Sequence, residues 1–98
     1  MADQEQKEAY RKKMEAQIEE WNARIYQLRA QAKQKEADAR IDLDQKADEL
    51  AAKRDELESR LDKLQKSGSD AWEEMKGGVE NAVNELKNAW DKARKSFE

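Results

Sequence analysis

The chain has 98 residues, 44% of them charged, with three glycines and no proline, cysteine or histidine. That profile belongs to coiled coils and long helical hairpins and excludes an ordinary mixed globular domain. Twenty basic and twenty-three acidic residues leave a net charge of −3 with the signs interleaved along the whole length, which excludes nucleic acid as an expected partner.

The first predicted element is one continuous helix over residues 3–66. Met14, Ile18, Trp21, Ile25, Leu28 and Ala32 recur at alternating steps of four and three, the pattern that presents a narrow seam to a partner helix, and Tyr10 extends it one turn earlier. From Ala32 through Ala39, Leu43, Ala47 and Leu50 the steps lengthen to an eleven-residue pattern; Leu50, Leu57 and Leu64, with Leu61, then resume the seven-residue repeat. Such a stretch straightens a supercoil and keeps the stripe on one side. The window Lys33–Arg40 reads Lys-Gln-Lys-Glu-Ala-Asp-Ala-Arg, all helix formers or helix-tolerant residues. The expectation is therefore a helix that passes Lys35 without a hairpin, against the rival of a compact three-helix bundle with a turn there. Acid-to-base pairs four residues apart, among them Asp3/Lys7, Glu20/Arg24, Glu36/Arg40, Asp42/Lys46, Glu56/Arg60 and Asp62/Lys66, support helix at ~0.2–0.5 kcal/mol each. Ala9, Ala16, Ala23, Ala30 and Ala37 form a second, seven-residue stripe, read either as solvent-facing helix formers or as a further contact face.

A turn over residues 67–69, Ser67-Gly68-Ser69, follows. Gly68 offers a left-handed conformation, and Asp70 with Glu73 has the offset of a capping box. The second helix is expected over residues 70–97. Trp72, Val79, Leu86 and Ala93 repeat every seven residues, flanked by Met75, Ala82 and Ala89 on one side and by Val83, Trp90 and Phe97 on the other. Three apolar positions per heptad suit a helix lying in a groove between two others. Gly77 and Gly78 weaken it by about 1 kcal/mol each relative to alanine, as a close crossing or as a tolerated weak spot.

These lengths predict an all-α fold, a long helix plus a shorter antiparallel helix, assembled as a coiled-coil oligomer from a single structural unit over residues 1–98. A first helix of about 96 Å is only half covered by a second of about 42 Å. Fifteen alanines bury little area, so a lone chain of this size is expected to be marginal. The hairpin core is assigned to Leu43, Leu50, Leu57, Leu61, Leu64, Trp72, Met75, Val79, Val83, Leu86, Trp90 and Phe97. The oligomer interface is assigned to Tyr10, Met14, Ile18, Trp21, Ile25, Leu28 and Ala32, with an antiparallel homodimer as the favoured assembly and a parallel dimer or higher oligomer as its rival.

The stretch YRKKMEAQIEEW at 10–21, the leucine repeat ending in Leu61-Asp62-Lys63-Leu64, and SDAWEEMKGGV at 69–79 resemble small bacterial coiled-coil proteins sometimes labelled stress-response proteins. The resemblance covers nearly the whole chain, rests on helix-packing residues, and implies a stress-linked role without a mechanism.

Histidine and cysteine, the usual general base, thiol nucleophile and zinc ligands, are missing. No serine among Ser59, Ser67, Ser69 and Ser96 stands beside a recognisable base. Asp38/Asp42 and Asp44/Asp48 lack a ligand loop and are read as solvated carboxylates. The expectation is no catalytic residue, no metal site, no cofactor and no enzymatic activity. A structural or interaction protein, with a protein partner or its own copies, is the first reading. The alternative is an amphipathic surface binder whose second helix opens onto a membrane, which the seven acidic and five basic residues from Asp70 to Glu98 weaken. The polar N-terminus and the lack of any long apolar run lead to the expectation of an unprocessed, soluble, cytoplasmic protein.

Overall fold

Helix α1, Gln4–Lys33, starts on a reciprocal cap that the heptad pattern alone does not reveal. The Gln6 amide donates to Asp3 Oδ1 at 2.8 Å and the Asp3 amide donates back to Gln6 Oε1 at 3.1 Å, satisfying two otherwise orphaned N–H groups. A computed structural model describes residues 3–95; within it α1 is followed by α2, Ala37–Lys66, one 3-10 turn at Ser69–Ala71, and α3, Trp72–Arg94. Every described element is helical, so the chain is all-α. Phe97, assigned above to the hairpin core, lies outside the described residues.

The expected continuous helix over 3–66 is not found: it is divided by a turn at Gln34–Glu36. The Gln34 and Lys35 amides donate to the Gln31 and Ala32 carbonyls at 3.1 Å each, tightening the end of α1. Glu36 is then extended, at φ −94° and ψ 151°, and Ala37 opens α2 at φ +29°, a left-handed value unusual for a side chain with a Cβ. Propensity argues against this turn, and packing overrules it. Interrupting the helix forfeits a few hydrogen bonds of ~0.5–1.5 kcal/mol net each and costs roughly 1–2 kcal/mol at Ala37. Folding α1 back buries Met14, Ile18, Trp21, Ile25 and Leu28, each at 8% exposure or less, at about 1.5–3 kcal/mol apiece. For a lone chain, burial wins by about several kcal/mol.

α1 runs antiparallel to α2. Arg29 Nη1 meets Asp48 Oδ1 at 2.9 Å, and Arg54 Nη1 donates to Asn22 Oδ1 at 2.9 Å. The second connection also departs from expectation. Gly68 has φ −78°, so no left-handed glycine is used. Asp70 sits inside the 3-10 turn, and the residue capping α3 is Ala71, without a side-chain hydrogen bond. The Ala71 amide donates to the Gly68 carbonyl at 3.1 Å, and Ser67 Oγ donates to the Leu64 carbonyl at 2.7 Å, so backbone and serine hold the corner that the Asp70/Glu73 pair was expected to hold. α3 then returns along α2, where Arg60 Nη1 donates to the Gly78 carbonyl at 2.8 Å. A Cβ at Gly77 or Gly78 would have nothing within 4 Å, so no close crossing requires these glycines.

The result is an up-down-up bundle of 52 × 19 × 18 Å whose core combines all three seams. Among the described residues no polar or charged side chain is buried. Leu50 is fully buried in α2, the helix both others pack on, and Leu50→Ala should cost about 2–5 kcal/mol in chemical denaturation. Tyr26→Ser, at a position 76% exposed, should change stability by less than about 0.5 kcal/mol. Equal effects at the two sites would contradict this core.

Candidate interaction surface

The residues expected to form an oligomer interface lie inside one chain. Met14, Ile18, Trp21, Ile25, Leu28 and Ala32 are buried in the common core, and Tyr10 is half-buried against it. The reason is the turn at Gln34–Glu36: with α1 folded back, the seam that had no cover in a two-helix hairpin is covered by α2 and α3. Of the residues assigned to the hairpin core, Leu43, Leu50, Leu57, Leu61, Leu64, Trp72, Val79, Val83 and Leu86 are buried, together with Ala47, Ala82, Ala89 and Ala93. Trp90 packs at the margin, and Met75 is 37% exposed although Ala82 and Ala89, one and two heptads further along the same flank of α3, are buried. The alanines Ala9, Ala16, Ala23, Ala30 and Ala37 are all exposed.

How α1 is held differs between its two neighbours. Among the described residues the α1 backbone approaches α2 closely along its length, whereas no Cα of α1 comes within 8 Å of a Cα in α3. Large side chains bridge that wider gap. Tyr10 meets Trp72 edge to face at 5.9 Å between ring centroids, and Trp21 meets Trp90 at 6.4 Å, both at 74° between planes. Cations cap the rings: the Arg24 guanidinium lies 4.8 Å from the Trp21 ring and 5.5 Å from that of Trp90, Lys76 lies over Tyr10 at 5.2 Å, and Lys7 over Trp72 at 5.4 Å. Lys7 Nζ also donates to Ser69 Oγ at 3.5 Å. The heptads predicted the apolar seam; these cation–aromatic stacks required knowing that α1 and α3 are neighbours.

α2 and α3 together thus form a groove lined by leucine, valine and alanine, with Trp72 and Trp90 as posts on its α3 side, and α1 is the helix seated in it. The remaining surface is mixed charge, where Asp42–Lys46, Glu56–Arg60 and Asp62–Lys66 pair at 2.7–2.9 Å as the spacing predicts. Glu20 and Arg24 have the same spacing, but Arg24 instead stacks on the rings of Trp21 and Trp90. No helix among the described residues is long and apolar enough to cross a membrane, and no cluster of acidic residues there is arranged to hold a metal ion.

One titratable group departs from its ordinary value. Burial pushes the Tyr10 phenol up from 10 to about 12, and the carboxylate of Glu80 adds to the rise. Its hydroxyl oxygen, shielded from solvent, has no hydrogen-bond partner among the described residues. The folded chain therefore holds this proton more tightly than the unfolded chain. The associated stability is complete below pH 10 and is lost as pH rises from there through about 12. Tyr10→Phe removes an unpartnered hydroxyl and should raise stability near neutral pH by about 1 kcal/mol. It should also flatten the alkaline loss in urea titrations, and an equal loss in both proteins would clear Tyr10 of that role. Comparison with known proteins yields no matching family model, no matching curated protein and no matching solved structure.

Proposed function

We propose that this chain is a non-enzymatic interaction protein that works by seating an amphipathic helix in the groove between α2 and α3. The observation that supports the reading is the way α1 meets α3: no Cα of α1 comes within 8 Å of α3, aromatic side chains bridge that gap, and one short turn joins α1 to α2. The buried positions of the groove wall are apolar, with Asp48 and Arg54 of α2 making polar contacts to α1 beside them, and the two tryptophan posts fix the occupant through ring edges and cation stacking, which tolerates a range of helices carrying the same 4-3 spacing. The occupant is recognised by large apolar side chains at the spacing of Met14, Ile18, Trp21, Ile25 and Leu28, with a basic residue at the place of Arg24. A stress-linked task rests on the sequence resemblance alone.

The test loosens α1 and offers the groove a replacement. Leu28 is 1% exposed, so Leu28→Ser in the full chain should destabilise α1 docking by a few kcal/mol. A synthetic peptide of residues 3–33 added in trans should bind this variant saturably and raise its melting temperature. A peptide with Ile18, Trp21 and Ile25 changed to serine should do neither. Loss of the distinction between the two peptides would sink the proposal. A blue shift of tryptophan emission on anionic or neutral vesicles, with no peptide binding, would hand the function to lipid surfaces instead.

A further inference from the structure

We infer that a second copy of this chain is an occupant of the groove: the turn at Gln34–Glu36 opens, α1 and α2 fuse into one helix, and two chains exchange their α1 segments. This rests on the interaction reading above and names the partner.

Four features of the turn carry it. First, the hinge has no residue that demands a turn. Lys33-Gln34-Lys35-Glu36-Ala37 contains neither glycine nor proline, and the Glu36/Arg40 spacing favours continued helix. Second, the closed form is strained where it need not be. Ala37 holds φ +29°, and the Glu36 side chain makes no capping hydrogen bond to α2, so both defects vanish when the segment becomes helical. Third, the seams are in phase across the hinge. Ala32, the last buried residue of α1, and Leu43, the first of α2, are eleven residues apart, which is close to three whole helical turns. A straightened helix therefore presents both seams on one side, a coincidence that a monomeric hairpin has no need of.

The fourth feature is the register. A twofold exchange that preserves the Asn22–Arg54 and Arg29–Asp48 contacts places its axis beside Asp38, midway within each pair. That axis sets Glu36 of one chain opposite Arg40 of the other. All core contacts are the same in both forms. The balance is then set by chain concentration, by the strain at Ala37, and by the new contact at the crossing.

Refolding the full chain from denaturant at low and at high concentration, followed by size separation with light scattering, reads the equilibrium. The expected result is a species at 11.4 kDa when dilute and one at twice that mass when concentrated. The chain has no cysteine, so Gln17→Cys with Ser59→Cys takes two spin labels selectively. With excess unlabelled chain present, the dimer fraction should show an intrachain distance near ~63 Å and the monomer fraction a short one. A short distance in the dimer means two closed bundles touching at their surfaces and overturns the inference, as does a single mass at every concentration. Ala37→Gly both relieves the left-handed strain and weakens the fused helix, so it should raise the dimer dissociation constant about a hundredfold or more. An unchanged constant overturns the hinge mechanism. If the peptide of residues 3–33 binds the Leu28→Ser chain while the unmodified chain never leaves 11.4 kDa, the exchange fails and the interaction reading stands. If neither occurs, both fall.

Discussion

The fold hangs on one two-sided helix. α2 has Leu43, Ala47, Leu50, Leu57, Leu61 and Leu64 buried along a single stripe, wide enough for α1 and α3 to share, and it is the helix whose backbone both of the others approach. Leucine and alanine suit this position because they let two helices come close without demanding one crossing geometry. The outer helices need not touch each other closely, and they do not. Their meeting line is left to tryptophan, tyrosine and the cations that stack on them, an arrangement that tolerates small shifts of one helix against another where a packed aliphatic ridge would not.

That division of labour makes the aromatic pairs spacers as much as anchors. Trp21 against Trp90 and Tyr10 against Trp72 fill a gap that two leucines would leave open, and Arg24 uses its planar guanidinium to cover ring faces that would otherwise meet water. The unpartnered Tyr10 hydroxyl is the cost of using a phenol where only the ring is needed. A polar atom left over at the rim of an otherwise apolar core marks α1–α3 as the least specified of the contacts in the bundle.

The heptads made the seams legible residue by residue: all of Met14, Ile18, Trp21, Ile25, Leu28 and Ala32 are buried. What they could not convey is whether a partner helix comes from the same chain. The turn at Gln34–Glu36 was hidden because every residue there is helix-compatible and the stripe stays in phase across it. The signal present was a weak one: between Ala32 and Leu43 the apolar positions thin to Ala37, Ala39 and Ile41, and the segments on either side have equal lengths of 30 residues. The corner at Ser67–Ala71 was misread in detail because Asp70/Glu73 matches a capping box while the serine and backbone groups that actually close the corner have no distinctive spacing. Met75 was overcounted because it shares a stripe with the buried Ala82 and Ala89 but sits in the first turn of α3, where it stays 37% exposed.

Three helices running up, down and up leave residue 3 and residue 95 at opposite ends of a 52 Å rod. Tension applied between those two points pulls α1 toward one end and α3 toward the other, so it slides seams past α2 lengthwise instead of peeling one helix away turn by turn. Sliding must break the leucine layers and both aromatic pairs together, whereas peeling breaks them in sequence. The odd number of helices therefore gives this small bundle the geometry of a stiff spacer that resists stretch along its axis, and an even-numbered hairpin built from the same seams would simply unzip.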